Sequence, residues 1–220
     1  MSIHLQRELE NLNRLTLGMC AHVEQNVRDA CHAFLEGDDD LARKIIASDR
    51  EVDKMEIELS ENCLKVLALY QPVAGDLRFI FSLSKIAGIL ERIGDLAENL
   101  ARKTKTLSQL EAVLIPTELA EMADIGRSML KDSIDSFVAR ETAKAKAVIA
   151  TDKEVNARKR LVRKTAETAI QARPANCRQW LAIIAASRNI ERMADMAANI
   201  AAEVVYAIDG KMIRHGFDSE

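Results

Sequence analysis

The sequence predicts an all-α protein of six long helices forming two tandem three-helix bundles. Three observations carry that expectation. Turn formers are scarce, with 8 Gly and 3 Pro in 220 residues, whereas a sheet protein of this size needs a turn signal roughly every ten residues. Helix-forming residues dominate and aromatic residues make up only 4%, the composition of helical chains. The chain also repeats itself. ERIGDLAENLA at 91–101 and ERMADMAANIA at 191–201 agree at six of eleven positions, and Arg78 and Arg178 stand at the same offset. A period of about one hundred residues is too long for a solenoid unit and fits a duplicated bundle.

The punctuation places each helix in turn. The first, 2–36, ends at Gly37 in EGDDD, where Asp38 offers an N-cap to the second. The second, 38–70, breaks at Pro72 in YQPVAGDL. In the third, 74–106, Leu83, Ile86, Leu90, Ile93, Ala97 and Leu100 recur at three- and four-residue steps. Pro116 and Thr117 open the fourth, 117–139. ARET separates it from the fifth, 142–172, and Pro174 in ARPAN precedes the sixth, 175–208, which ends at IDGK. Helices of about 30 residues are roughly 45 Å long, and short turns between them make antiparallel neighbours. The joint at 105–117 divides the chain into units 1–108 and 116–210, with 211–220 as a tail.

Composition narrows the function. Hydrophobic residues make up 48% of the chain, enough for a core. A net charge of −3 supplies no field for nucleic acid. The most basic stretch, NARKRLVRKTAE with Arg158, Lys159, Arg160, Arg163 and Lys164, reads as a solvated helix face. No apolar run is long enough to span a bilayer, and the amphipathic N-terminus is unlike a signal peptide. Cys20, Cys31, Cys63 and Cys177 form no C-x-x-C pair, as expected of idle thiols in a reducing cytoplasm.

Four pairs of acids stand four residues apart: Glu36/Asp40, Asp49/Asp53, Glu91/Asp95 and Glu191/Asp195. Chance alone gives about five in a chain of this acidity, so position has to carry the reading. Glu36/Asp40 straddles the Gly37 turn. Asp49/Asp53 and Glu91/Asp95 lie equally far from the turn near residue 72, one pair on each side, so an antiparallel hairpin sets them at one height. In the second half Glu191/Asp195 meets Asp152 and Asn156 by the same arithmetic, with an amide where the first half has Asp53. Four carboxylates at one level repel unless cations lie between them. Oxygen-only ligands suit magnesium, manganese, calcium or iron. Asn99 and Asn199, one turn further on, are possible supporting ligands together with Asn156. From the first helix, His22 and Glu24 could approach the first group, although His22 reads first as a plain surface histidine.

No Glu-x-x-His motif provides the nitrogen ligands of a di-iron bundle, and no H-E-x-x-H, phosphate loop or G-x-S-x-G occurs. Catalysis has no positive sign, and a carboxylate-bridged metalloenzyme ranks behind a plain helical scaffold whose acids are solvated.

LERIGDLAENLA and IERMADMAANIAAEVVYAIDG resemble the two signature helices of the PhoU family of phosphate-uptake regulators, and PVAGDLRFIFSLSKIAGILERIGD resembles its first-half stretch. The likeness covers nearly the whole chain. It implies paired three-helix bundles, usually dimeric, whose E(D)-x-x-x-D motifs bind multinuclear clusters of iron, zinc, manganese or magnesium. Carried onto this chain, the motif positions are Asp49, Asp53, Glu91, Asp95, Asp152, Glu191 and Asp195. The resemblance also implies a cytoplasmic negative regulator, not an enzyme. Such a regulator links the ATPase subunit of the phosphate-specific ABC transporter to the sensor histidine kinase of the phosphate regulon, and meets the membrane only through those partners. The chain departs from the pattern at Asn156, where the family usually has an acid. It departs also at Leu96 and Met196, where many members carry His, and at ANCR (175–178), which lacks the first half's Asp-Leu-Arg.

Overall fold

The structure, a computed structural model, describes residues 3–213 with the exception of the Asp49 side chain. Six helices follow in order: α1 Ile3–Glu36, α2 Asp39–Tyr70, α3 Ala74–Leu107, α4 Thr117–Ala139, α5 Thr142–Ala172 and α6 Cys177–Asp209. No strand occurs among the described residues. The sixth helix starts at Cys177 rather than 175, because Pro174–Asn176 winds as a 3₁₀ turn. Pro174 has no N–H to give to an α-helical ladder, and a tight turn ahead of the helix tolerates that.

The helix ends have local causes. The Asp38 carboxylate accepts a hydrogen bond from the Leu41 N–H at 2.9 Å, satisfying one of the donors that the first turn of α2 leaves open. Gly37 (φ 73°) and Gly210 (φ 71°) turn left-handed at the ends of α1 and α6, where a glycine meets no Cβ penalty. Gln71 (φ 45°) and Arg140 (φ 55°) make the same turn without a glycine. Each still donates its N–H back to the helix, to Leu67 and to Phe137 and Ser136.

Two layers result. α2, α3, α6 and α5 stand in that order in one layer, while α1 covers α2 and α3, and α4 covers α5 and α6. The duplication is exact in the core. Ile80, Leu83, Leu90, Ile93, Ala97 and Leu100 on α3 correspond at an offset of 100 to Trp180, Ile183, Ile190, Met193, Ala197 and Ile200 on α6, all buried. On α2 and α5 the offset is 103: Ile45/Val148, Val52/Val155, Leu59/Val162 and Cys63/Ala166 are buried pairs. Their spacing of seven, seven and four keeps one stripe of each helix against its neighbour.

The bundles join along α3 and α6, with a lighter contact between α1 and α4. Lys85 pairs with Glu203 at 2.9 Å across that seam, and its ammonium lies 4.7 Å from the Phe81 ring and 5.7 Å from that of Tyr206. Phe79 of α3 stacks on Phe137 of α4 at 6.0 Å.

Leu90 is fully buried at the centre of α3, whereas Leu114 in the α3–α4 connection is 89% exposed. Leu90→Ala is expected to cost about 2–5 kcal/mol of unfolding free energy, and Leu114→Ala to stay within about 0.5 kcal/mol. Denaturant titration of both variants checks the contrast.

Candidate metal centre

α3 is packed against α1, α2 and α6, so one narrow strip of it meets solvent. A strip of that kind collects residues at steps of four, and here it carries Glu91, Asp95 and Asn99. Gly94 sets how close α2 comes. A Cβ added there would stand 3.2 Å from Val52 Cγ1, so the glycine lets Val52, and with it Asp53, settle against α3. Carboxylate oxygens of Asp53, Glu91 and Asp95 thereby lie within 4.8 Å of one another. Among the described residues this is the one group of three or more carboxylate, imidazole or thiol ligands that converges so closely. Asp49 lies on α2 one turn earlier, but its side chain is outside the described residues.

Electrostatically, negative charge outweighs positive charge at this group. Burial, followed by the carboxylates of Asp95, Asp53 and Glu56, holds the Glu91 carboxyl above its ordinary range, with Arg92 offsetting part of the effect. Burial and then Asp53 and Glu98 do the same to Asp95. Glu56 is held by the Ser60 hydroxyl, which donates to it at 2.8 Å. A hard divalent cation matches both the oxygen-only donor set and the surplus negative charge.

The second half is arranged differently. Glu191 accepts a hydrogen bond from the Lys159 ammonium at 2.7 Å, and the Asn156 amide donates to Asp152 Oδ2 at 2.8 Å. Asp152, Asp195 and Asn199 line a groove of about 420 Å³ with Arg92, Met196 and Glu203. Asn99 is exposed on the first-half strip, and Leu96 behind it is buried. His22 reaches Glu51 at 3.7 Å on the helix that carries Asp53. Glu24 turns the other way and faces Asp135 and Lys131 of α4, because it sits on the side of α1 that meets the second bundle.

Glu56 and Gly94 escaped the sequence reading, and Lys159, read there as part of a solvated helix face, instead pairs with Glu191. An alignment of IASDREVD (46–53) with IATDKEVN (149–156) would have set Glu56 against Lys159. The thiols supply no ligands. Burial pushes Cys20 and Cys31 up to about 12 and Cys63 up to about 11, and all four cysteines are free.

The family model described as PhoU domain matches residues 16–104 and 119–204. A phosphate-specific transport system accessory protein PhoU homolog of Pseudomonas putida is 33% identical over 216 residues, 98% of this chain and 84% of its own. The phosphate-specific transport system accessory protein PhoU of Escherichia coli strain K12 is 31% identical over 213 residues, 94% of this chain and 86% of its own. Among solved structures, PhoU from Pseudomonas aeruginosa superposes with a TM-score of 0.90 at 33% identity, covering 94% of this chain and 99% of that one. The phosphate transport system regulatory protein PhoU from Streptococcus pneumoniae gives 0.86 at 27% identity, covering 96% and 100%.

The raised carboxyls have a signed consequence for stability. Between the ordinary carboxylate pKa and the raised native one, the native state binds more protons than the unfolded chain, so stability falls as pH rises through that window. In chelator at neutral pH, Asp95→Asn is therefore expected to melt above wild type. A like-charge pair worth a few tenths of a kcal/mol corresponds to about 1 °C in a domain of this size. The gain should vanish below the ordinary carboxylate range. Melting curves across pH, with chelator throughout, test this.

Proposed function

The chain belongs to the PhoU family, and from that premise we propose that it is a non-enzymatic cytoplasmic regulator of phosphate uptake. It works as an adaptor, and its partners follow from the family rather than from any contact seen in the chain: the ATPase subunit of the phosphate-specific transporter and the sensor histidine kinase of the phosphate regulon. When phosphate is plentiful it restrains uptake and keeps that kinase from activating its response regulator. Supporting the reading is the reach of the match, which takes in both bundles and nearly the full chain. Residues 1–108 and 116–210 are its two units and 211–220 its tail, of which 214–220 lies outside the described residues, and it acts as a homodimer. No helix among the described residues is long and apolar enough to cross a membrane.

The observation that carries the metal part of the reading is the convergence of Asp53, Glu91 and Asp95. With Asp49 they would hold a divalent cation, from the set of magnesium, manganese, iron and zinc. A bound divalent cation cancels two of the negative charges and relieves the repulsion among the carboxylates. The residues themselves place it: α2 and α3 present the site along one edge of the layer, where a partner can read whether it is loaded. A scaffold with solvated acids is the competing reading, and the two part on metal content.

Two experiments address the proposal. Deleting the gene in its host is expected to raise a phosphate-regulon reporter in phosphate-rich medium, with restoration by the wild-type copy; an unchanged reporter removes the regulatory reading. Separately, Mn²⁺ at a hundredfold excess over its dissociation constant should stabilise the wild type by about 2.7 kcal/mol. Asp95→Ala should lose that gain. Equal Mn²⁺ content in the two proteins by elemental analysis would leave the scaffold reading standing.

A further inference from the structure

We infer that the second bundle carries its own cation: Lys159 takes the place of a metal ion, so that metal loading is confined to the first bundle. The inference rests on the metal-binding reading of the first bundle and extends it to the relation between the two.

The register that relates α2 to α5 is set by the core, independently of any acid. Ile45, Val52, Leu59 and Cys63 are buried at the positions of Val148, Val155, Val162 and Ala166. In that register Glu56 of the first bundle stands where Lys159 stands in the second, and Asp53 where Asn156 stands. On α3 and α6, Glu91 and Asp95 correspond to Glu191 and Asp195. The first quartet therefore carries four negative charges. The second carries a net of one, since Lys159 cancels one of two acids and Asn156 adds nothing.

The geometry follows the charge. Where Glu56 raises the pressure on Glu91, Lys159 Nζ lies 2.7 Å from Glu191 Oε1. The side chains of that pair are 34% and 16% exposed, so the ion pair sits partly under the surface, where water screens it less than a rim contact. The Asn156 amide turns its N–H toward Asp152 and so acts as a donor to the acid it would have to join in ligating a metal. The third difference is steric. Gly94 lets Val52 approach α3, whereas the second bundle has Ala194 at that position, with the Cβ that would sit 3.2 Å from Val52 in the first. Charge, hydrogen bonding and packing all run the same way. An incoming divalent ion would compete with an ammonium tethered at high effective concentration.

Mn²⁺ titration of the full chain, read by elemental analysis and thermal shift, tests the inference. Lys159→Glu copies the first bundle at that position, and Lys159→Gln removes the charge with a near-isosteric side chain in case the first variant folds poorly. Each is expected to raise Mn²⁺ content over wild type, by up to about a doubling for the glutamate variant, which restores a third carboxylate beside Glu191 and Asp195 while Asn156 stays neutral. Adding Glu191→Gln should remove the increment. If neither folded variant takes up more Mn²⁺ than wild type, the inference is overturned. A wild type that binds no Mn²⁺ while Lys159→Glu does would instead overturn the first-bundle reading and leave only the blocking role of Lys159 standing. Glu191→Gln in the wild-type background should leave Mn²⁺ content unchanged, and a loss there equal to that of Asp95→Asn would also overturn it.

Discussion

Burial of α3 and α6 on three sides is the constraint from which the rest of the structure follows. Each has a neighbour of its own bundle on two sides and the other bundle on the third. Their interiors are accordingly apolar or small along almost the full length, from Ile80 to Thr104 and from Trp180 to Val205. What remains to solvent is a narrow strip, one or two residues wide at each turn. On a helix such a strip recurs every three or four residues, so any polar residues that function there must be spaced as Glu91, Asp95 and Asn99 are. The acidic stripe is the shape that this burial leaves available.

A strip alone makes no site, since acids on one helix face are easily solvated. The second helix converts it, and the conversion depends on how near that helix comes. Gly94 is the lever, because removing one Cβ admits Val52 and brings Asp53 over the gap. Burial and then the neighbouring carboxylates raise Glu91 and Asp95, with Arg92 offsetting part of the effect at Glu91. Perturbed groups of this kind cluster at functional sites.

The duplicated halves have kept their cores and parted in their charges. Apolar positions correspond pair by pair, because changing one side of a packed interior costs several kcal/mol. Surface positions meet no such penalty. Glu56 and Lys159, Asp53 and Asn156, could therefore diverge while the bundles stayed superimposable. Two copies of one architecture then present one acidic edge and one partly neutralised edge.

The amino-acid sequence by itself determined the helices and their order. Sparse Gly and Pro, the caps at Asp38 and Gly37, and the three- and four-residue apolar steps are local signals, and local signals survive without knowledge of the partner. It also determined the height of Asp53 against Glu91 and Asp95, since antiparallel helices of known rise leave little freedom along the axis. Rotation and approach were a different matter. Whether Glu24 faces the first acids or α4, whether Lys159 reaches Glu191, and how closely Gly94 admits Val52 depend on how each helix is turned about its axis. Contacts from several helices at once decide that, and only the tertiary structure contains them.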